Sequence, residues 1–102
     1  MTRGEREALA KLCVVRSMPA MVATASMDST AKLWSSTSGE CLRSLEGHGG
    51  LVPSAAFSPD GELVVTVSRD ETAKLWSSAS GECLRTLEGH GGWVRTAAFS
   101  PS

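Results

Sequence analysis

Residues 47–76 have the sequence GHGGLVPSAAFSPDGELVVTVSRDETAKLW, in which short apolar segments alternate with turn-forming residues. The first apolar segment ends at Ser-Pro-Asp-Gly, an order that favours a tight turn. The second is rich in β-branched residues, and Ser-Arg-Asp-Glu separates it from a third in which apolar and polar residues alternate. With the segment that follows Ser-Gly, the pattern predicts four short antiparallel strands. These strands, named a to d, are residues 51–57, 62–68, 72–77 and 82–87.

The chain repeats itself with a period of 42 residues. Residues 20–60 match residues 62–102 at about 29 of 41 positions, which include the blocks TAKLWSS, SGECLR and LEGHGG. A period of about 40 to 45 residues with Gly-His and a late Trp indicates the four-stranded blade of a β-propeller. The sequence therefore predicts an all-β fold of antiparallel four-stranded blades, a partial propeller with about two blades in 102 residues.

The period divides the chain into four parts. They are an N-terminal part (1–20), a first blade with strands b, c and d (21–46), a second, complete repeat (47–88) and the start of a third (89–102), with strand a at 93–99. The N-terminal part has two interpretations. It contains either a degenerate strand a at 9–15, with Arg6 at the position of His48, or an unrelated extension whose EREALAKL segment favours helix.

The stretch 47–76 resembles a WD-repeat blade over nearly its whole length, and the resemblance covers residues 20–102. It is specific because Gly-His, Ser-Pro-Asp-Gly, the turn Asp and the late Trp all have the spacing of that family. The resemblance implies a structural tetrad of hydrogen-bonded side chains. By position, the tetrad residues are His48, Thr66, Asp70 and Trp76 in the second blade, Thr24, Asp28 and Trp34 in the first, and His90 in the third repeat. The dipeptide that names the family is Trp-Ser here, and its second residue lies outside the tetrad.

The tetrad residues also have a catalytic interpretation, because Asp, His and a hydroxyl make up a hydrolase triad. In that alternative, Thr66 is the nucleophile, His48 its base and Asp70 the orienting group. A nucleophile needs an open cleft and oxyanion donors, whereas Thr66 lies within an apolar strand. A buried indole N–H also needs an acceptor, and the Thr66 hydroxyl can serve Trp76 in that role. We therefore expect a structural tetrad and no catalytic residue.

The resemblance further implies a rigid platform for other proteins, which bind at the face that carries the d–a and b–c loops. The two repeats differ on this face although they agree closely elsewhere. The predicted partner-binding residues are Trp93, Arg95, Arg69, Leu51, Pro53 and Met27. Trp and Arg are the residue types most often found at interface hot spots. In an alternative interpretation, Trp93 covers a neighbouring blade.

Composition argues against several other functions. Ten basic and eleven acidic residues give a net charge of -1, which offers no electrostatic attraction for nucleic acid or anionic lipid. No stretch approaches the roughly 20 apolar residues of a membrane span, and the N-terminus is a poor signal peptide, so we expect a cytoplasmic or nuclear protein. The cysteines Cys13, Cys41 and Cys83 form no CxxC or Cys/His cluster. We expect buried or half-buried thiols, no metal and no cofactor.

Two blades are too few to close a ring, since repeat proteins need about three units to bury a core. The sequence therefore predicts either part of a longer propeller protein or a homo-oligomer. In the homo-oligomer, strand a at 93–99 of one copy completes the first blade of another, and three or four copies close a ring of six or eight blades. If residues 9–15 form strand a within their own chain, that edge is capped and the scheme fails.

Overall fold

The computed structural model describes residues 20–101, which form seven β-strands in two antiparallel sheets. The strands are β1 (Met21–Ala25), β2 (Ala31–Ser35), β3 (Cys41–Leu45), β4 (Ser54–Phe57), β5 (Leu63–Val67), β6 (Ala73–Ser77) and β7 (Cys83–Leu87). The first sheet has the order β1-β2-β3 and the second β4-β5-β6-β7. Each sheet is a meander in which neighbours in sequence are neighbours in space. The predicted all-β fold of antiparallel blades is confirmed, and the segment 9–15 lies outside the described residues.

The turn between strands b and c has a positive φ at the same position in both sheets. Ser29 in the first turn has φ of 77° and Glu71 in the second has φ of 74°, which places both in the left-handed region. Non-glycine residues adopt this region only at an energetic cost. In the second turn, Asp70 accepts hydrogen bonds from the backbone and the hydroxyl of Thr72, which closes a local ring around the strained residue. The polar side chains of the turn therefore hold its shape.

The register of strands b and c determines which side chains meet on the second sheet. Val64 pairs with Trp76 and Thr66 pairs with Lys74, so Thr66 and Trp76 are diagonal neighbours on one face. The pairing of strands c and d shifts by one residue between Leu75 and Trp76. An irregularity of this kind re-aims the side chain beside it. The first sheet has the same shift before its own tryptophan.

The main core lies between the two sheets. Leu33 and Leu45 of the first sheet are fully buried against Val64 and Trp76 of the second. Further apolar residues close the edges of this cluster, namely Ala31, Met21, Ala23, Ala55 and Phe57. Because each strand alternates its side chains between two faces, the opposite face of the second sheet carries a separate set of apolar residues. Because apolar side chains of the first sheet pack directly on those of the second, the two sheets stack as successive blades.

Residues 93–99 cover part of that opposite face. Val94 is buried against Val65, Val67 and Ala73, and the side chains farther along the segment, Ala97 and Phe99, also pack against this cluster. The predicted strand a here has no ladder of backbone hydrogen bonds among the described residues, because no strand lies beside it. Within residues 20–101, no helix is long and apolar enough to span a bilayer.

Candidate functional site

Four side chains of the second sheet form one continuous hydrogen-bonded relay. The indole nitrogen of Trp76 donates to the hydroxyl of Thr66 at 2.8 Å. The same hydroxyl lies 2.7 Å from Nε2 of His48, whose Nδ1 lies 2.8 Å from a carboxylate oxygen of Asp70. An indole N–H can only donate and a carboxylate can only accept. With a neutral imidazole, Thr66 therefore donates to Nε2, and His48 carries its proton on Nδ1 and donates it to Asp70.

The relay crosses from the buried interior to the loop edge of the sheet. Thr66 is 0% exposed and Trp76 is 2% exposed, whereas Asp70 sits in the partly exposed b–c turn. Strand b supplies Thr66, strand c supplies Trp76 and the d–a loop supplies His48. The relay thus joins four parts of one repeat unit, namely the d–a loop, strand b, the b–c turn and strand c. No buried polar side-chain atom of residues 20–101 is left without a partner.

Asp70 is the anionic end of the relay and accepts several hydrogen bonds besides that of the histidine. Its carboxylate also accepts hydrogen bonds from the Gly49 amide at 2.9 Å, the Thr72 amide at 2.9 Å and the Thr72 hydroxyl at 2.6 Å. Burial of the carboxyl opposes ionisation and acts to raise its pKa. The hydrogen bonds from Thr72, His48 and the Gly49 amide outweigh burial and hold the pKa of Asp70 well below its usual range.

Sequence reasoning missed two residues that support the relay. Ser68 is fully buried, and its hydroxyl lies 3.0 Å from the carbonyl oxygens of Gly50 and Leu51 and accepts the Asp70 amide. Thr72 is the second, through its bonds to Asp70. Both positions are identical in the two repeats. That identity at polar positions beside a turn aspartate was the signal that could have found them.

The first sheet holds an incomplete version of the relay. The indole nitrogen of Trp34 donates to the Thr24 hydroxyl at 2.8 Å, as in the second sheet. Asp28 accepts from the amide of Thr30 at 3.0 Å and from its hydroxyl at 2.6 Å. These bonds, the Thr30 hydroxyl first, lower the pKa of Asp28. No imidazole among the described residues reaches Thr24, and the predicted third-repeat histidine, His90, is exposed.

The predicted partner-binding residues lie near the loop edge, and the structure brings two of them together. The guanidinium carbon of Arg69 stacks 3.7 Å from the ring centroid of Trp93. Trp93 remains 56% exposed although it covers Arg69, and Arg95 is also exposed. The three candidates at the other junction are Met27, which is 81% exposed, Pro53, which is exposed, and Leu51, which is half-buried.

Matching backbone contacts explain why residues of different repeats meet at this edge. The amide of Val94 donates to the carbonyl of Ser68 at 3.1 Å, and one repeat earlier the amide of Val52 donates to the carbonyl of Ser26 at 2.9 Å. Each contact sets the start of one repeat's strand a beside the b–c turn of the preceding repeat. Trp93 therefore lies next to Arg69.

A family of repeat proteins, described as "WD domain, G-beta repeat", matches the chain at residues 12–35, 39–77 and 81–102. These three stretches make up most of the sequence. The chain belongs to the WD-repeat family. The first matched stretch begins inside the segment 9–15, where the sequence allows a degenerate strand a.

The relatives of this WD-repeat chain are much longer proteins. It is 45% identical over 56 residues to WD repeat-containing protein 37 of Xenopus tropicalis, a match that covers 55% of this chain and 11% of that protein. It is 42% identical over 60 residues to the mouse (Mus musculus) protein of the same name, with 59% and 12% covered. It is 51% identical over 41 residues to nuclear distribution protein PAC1 of Mycosarcoma maydis, with 40% and 9% covered. The chain spans about a tenth of the length of these relatives.

The cysteines of this WD-repeat chain differ from their expected environment. Cys41 and Cys83 are exposed free thiols, so the expectation of buried or half-buried thiols is wrong for them. Each begins the last strand of its sheet, opposite the tryptophan at the register shift, where no further strand covers it. Cys13 lies outside the described residues. Within residues 20–101, no three His, Cys, Asp or Glu side chains are grouped as metal ligands.

Proposed function

We propose that this chain is a protein-interaction module of WD-repeat blades whose contact surface is the loop edge around Arg69 and Trp93. The observation that carries the proposal is the stacking of Arg69 on a tryptophan ring that stays 56% exposed. Family membership supports it, since WD repeats typically mediate contacts between proteins. The partners we propose are other proteins, and neither nucleic acid nor membrane.

The stacked pair suits a contact surface for two physical reasons. A cation above an aromatic face is attracted to it, and the stacking holds two otherwise mobile side chains in one arrangement. Because the pair is ordered before a partner arrives, less conformational entropy is lost on binding. Arg69 and Trp93 also present charge and apolar area together, as hot-spot residues commonly do. Arg95 adds a second exposed cation close by in sequence.

We propose a structural role for the tetrad and no catalytic role. The Thr66 hydroxyl is 0% exposed and already engages both Trp76 and His48. A substrate carbonyl has no path to an oxygen in that position, and a nucleophile must reach its substrate. The relay therefore supports a scaffold that connects strands b and c to the d–a loop, and we propose that the chain is not an enzyme.

We also propose that isolated copies of this chain associate with one another. Leu45 of the first sheet is 0% exposed because the second sheet covers it, whereas its counterpart one repeat later, Leu87, is 46% exposed. Leu84 on the same strand is 43% exposed. An uncovered apolar sheet face of this kind favours association. A cytoplasmic or nuclear location stays a prediction from the sequence.

The partner surface can be tested by quantitative capture from a cell lysate. The double variant Trp93→Ala/Arg95→Ala should lose specific partners that the parent chain retains. The matched control is Arg85→Ala, which removes one exposed cation from strand d, away from the loop edge. If the double variant and the control retain the same set of proteins, the contact surface lies elsewhere. Circular dichroism of each variant establishes that the fold is intact.

A further inference from the structure

The relay of the first sheet contains no imidazole from the described residues. A cavity of about 260 Å³ opens beside the incomplete relay. Its lining residues are Thr24, Ser26, Asp28, Thr30, Lys32 and Trp34. In the second sheet, the hydroxyl of Thr66 and the carboxylate of Asp70 bind the two ring nitrogens of His48. Thr24 and Asp28 are the equivalent residues of the first sheet. The cavity therefore offers an acceptor and a hydroxyl at the positions that a histidine side chain needs.

A second histidine, His90, takes part in no relay among the described residues. His90 corresponds to His48 one repeat later, and it is exposed. Residues 93–99 follow it and lie on the second sheet as β4 lies on the first, since the bonds from Val94 to Ser68 and from Val52 to Ser26 are equivalent. Within residues 20–101, this segment has no neighbouring strand, and β1 has a neighbour on one side only. Unpaired edges of this kind are templates for pairing with another chain.

We propose that residues 93–99 of one copy pair with β1 of a second copy, so that His90 enters the cavity and completes the relay of Thr24, Asp28 and Trp34. The inference rests on the self-association proposed above and names the residues that make it specific. The occupant is a second copy because each chain carries both halves of the contact. The contact would also repeat an interface that the chain already makes between its own sheets.

The repeat fixes the register of this pairing. Within the chain, Ser54 pairs with Val67 and Phe57 pairs with Val64. A shift of one period places Thr96 of one copy opposite Ala25 of the other, and Phe99 opposite Val22. The resulting contact is head-to-tail, so one copy gives its third-repeat segment and receives that of the next. A head-to-tail contact produces rings or open chains of copies.

Disulfide trapping between separately purified variants tests the register. In a background with all three native cysteines changed to serine, Ala25→Cys is mixed with Thr96→Cys under mild oxidation. Directly opposed strand residues lie about 4.5 to 5.5 Å apart between Cα atoms, which a disulfide spans, so we expect a covalent dimer. The control mixture, Ala25→Cys with Ala98→Cys, is two residues out of register and should give about tenfold less covalent dimer. Equal dimer in both mixtures, or none in either, overturns the proposed pairing.

Nitrogen NMR of histidine-labelled protein tests the imidazole site separately, because the chain has only two histidines. In the assembled protein, His90 should adopt the Nδ1–H tautomer expected for His48. Asp28→Asn should abolish this state at His90 alone, and Asp70→Asn should abolish it at His48 alone. His90→Gln assigns the signals. If trapping succeeds but Asp28→Asn leaves the His90 signals unchanged, the copies associate and the histidine site is wrong. If light scattering shows a compact monomer near 10.7 kDa, the proposed self-association itself is wrong.

Discussion

His48 and Asp70 are 22 residues apart in the sequence, and a ring nitrogen of one lies 2.8 Å from a carboxylate oxygen of the other. Their contact joins the loop that enters the second repeat to the turn between its strands b and c. Because the other ring nitrogen of His48 reaches Thr66, the contact extends to the middle of strand b. One polar network thus determines how the loop edge is attached to the sheet.

The substitution Asp70→Ala should lower the free energy of unfolding by about 1 to 3 kcal/mol, because it removes the acceptor of Gly49, Thr72 and His48 together. Urea denaturation measures the change. The matched control is Asp28→Ala in the first sheet, measured in dilute solution, where the exposed carboxylate of a single chain binds Thr30 and no imidazole. The control should lose clearly less stability. Equal losses in the two variants would show that the histidine contact adds nothing.

Acid should weaken the fold in part through Asp70. Its pKa is lower in the folded chain than the usual value near 3.9, so the folded state favours the ionised form. The stabilisation is complete above about pH 5 and is lost as pH falls through the unfolded-state pKa toward the folded-state pKa. Urea midpoints measured from pH 7 down to pH 3 should therefore fall less in Asp70→Asn than in the parent. Parallel pH profiles for the two proteins contradict the role given to this carboxylate.

Thr66→Val tests the centre of the relay. The change leaves the buried indole N–H of Trp76 without an acceptor and His48 without its hydroxyl partner, so we expect a loss of about 1 to 3 kcal/mol. Thr66→Ser keeps the hydroxyl and should lose less. Thr24→Val is the control in the first sheet, where Trp34 is only half-buried, so we expect a smaller loss in dilute solution. Thermal unfolding of the three variants ranks their losses of stability. If Thr66→Val and Thr66→Ser lose the same stability, the relay is not structural.

The strands and turns could be predicted from the sequence because each break carries its own turn chemistry, while strand ends depend on contacts between repeats. Strand a was predicted from residue 51, but β4 begins at Ser54. The amide of Val52 donates to the carbonyl of Ser26 in the first repeat, and the carbonyl of Leu51 accepts from the amide of Arg69 in the b–c turn, so neither group joins the ladder of β4 and β5. A pattern of apolar residues contains no information about backbone groups that another repeat will use.

For the candidate contact surface too, the sequence does not show which residues of different repeats meet. The divergence of the repeats pointed to Arg69 and Trp93 separately, and only the structure shows that they stack. They belong to different repeats and lie 24 residues apart in the sequence, so no local spacing indicates the contact. Ser68 was overlooked for another reason. A serine at the end of a strand usually signals a turn, and its burial depends on the loop of Gly50 that folds over it.

The open face of the second sheet yields a last prediction, because the buried Leu45 and its exposed counterpart Leu87 can be compared within one chain. Leu45 is 0% exposed and packs against Val64 and Trp76, so Leu45→Ala should cost about 2 to 5 kcal/mol at any protein concentration. Leu87 holds the equivalent position one repeat later but is 46% exposed, and Leu87→Ala should cost less than about 1 kcal/mol in dilute solution.

If copies of the chain cover this face, association stabilises the folded state more as concentration rises. The cost of Leu87→Ala should then grow when urea denaturation is repeated at about a hundredfold higher concentration, while that of Leu45→Ala stays constant. A Leu87→Ala effect that is small at both concentrations means that self-association leaves the Leu87 face uncovered.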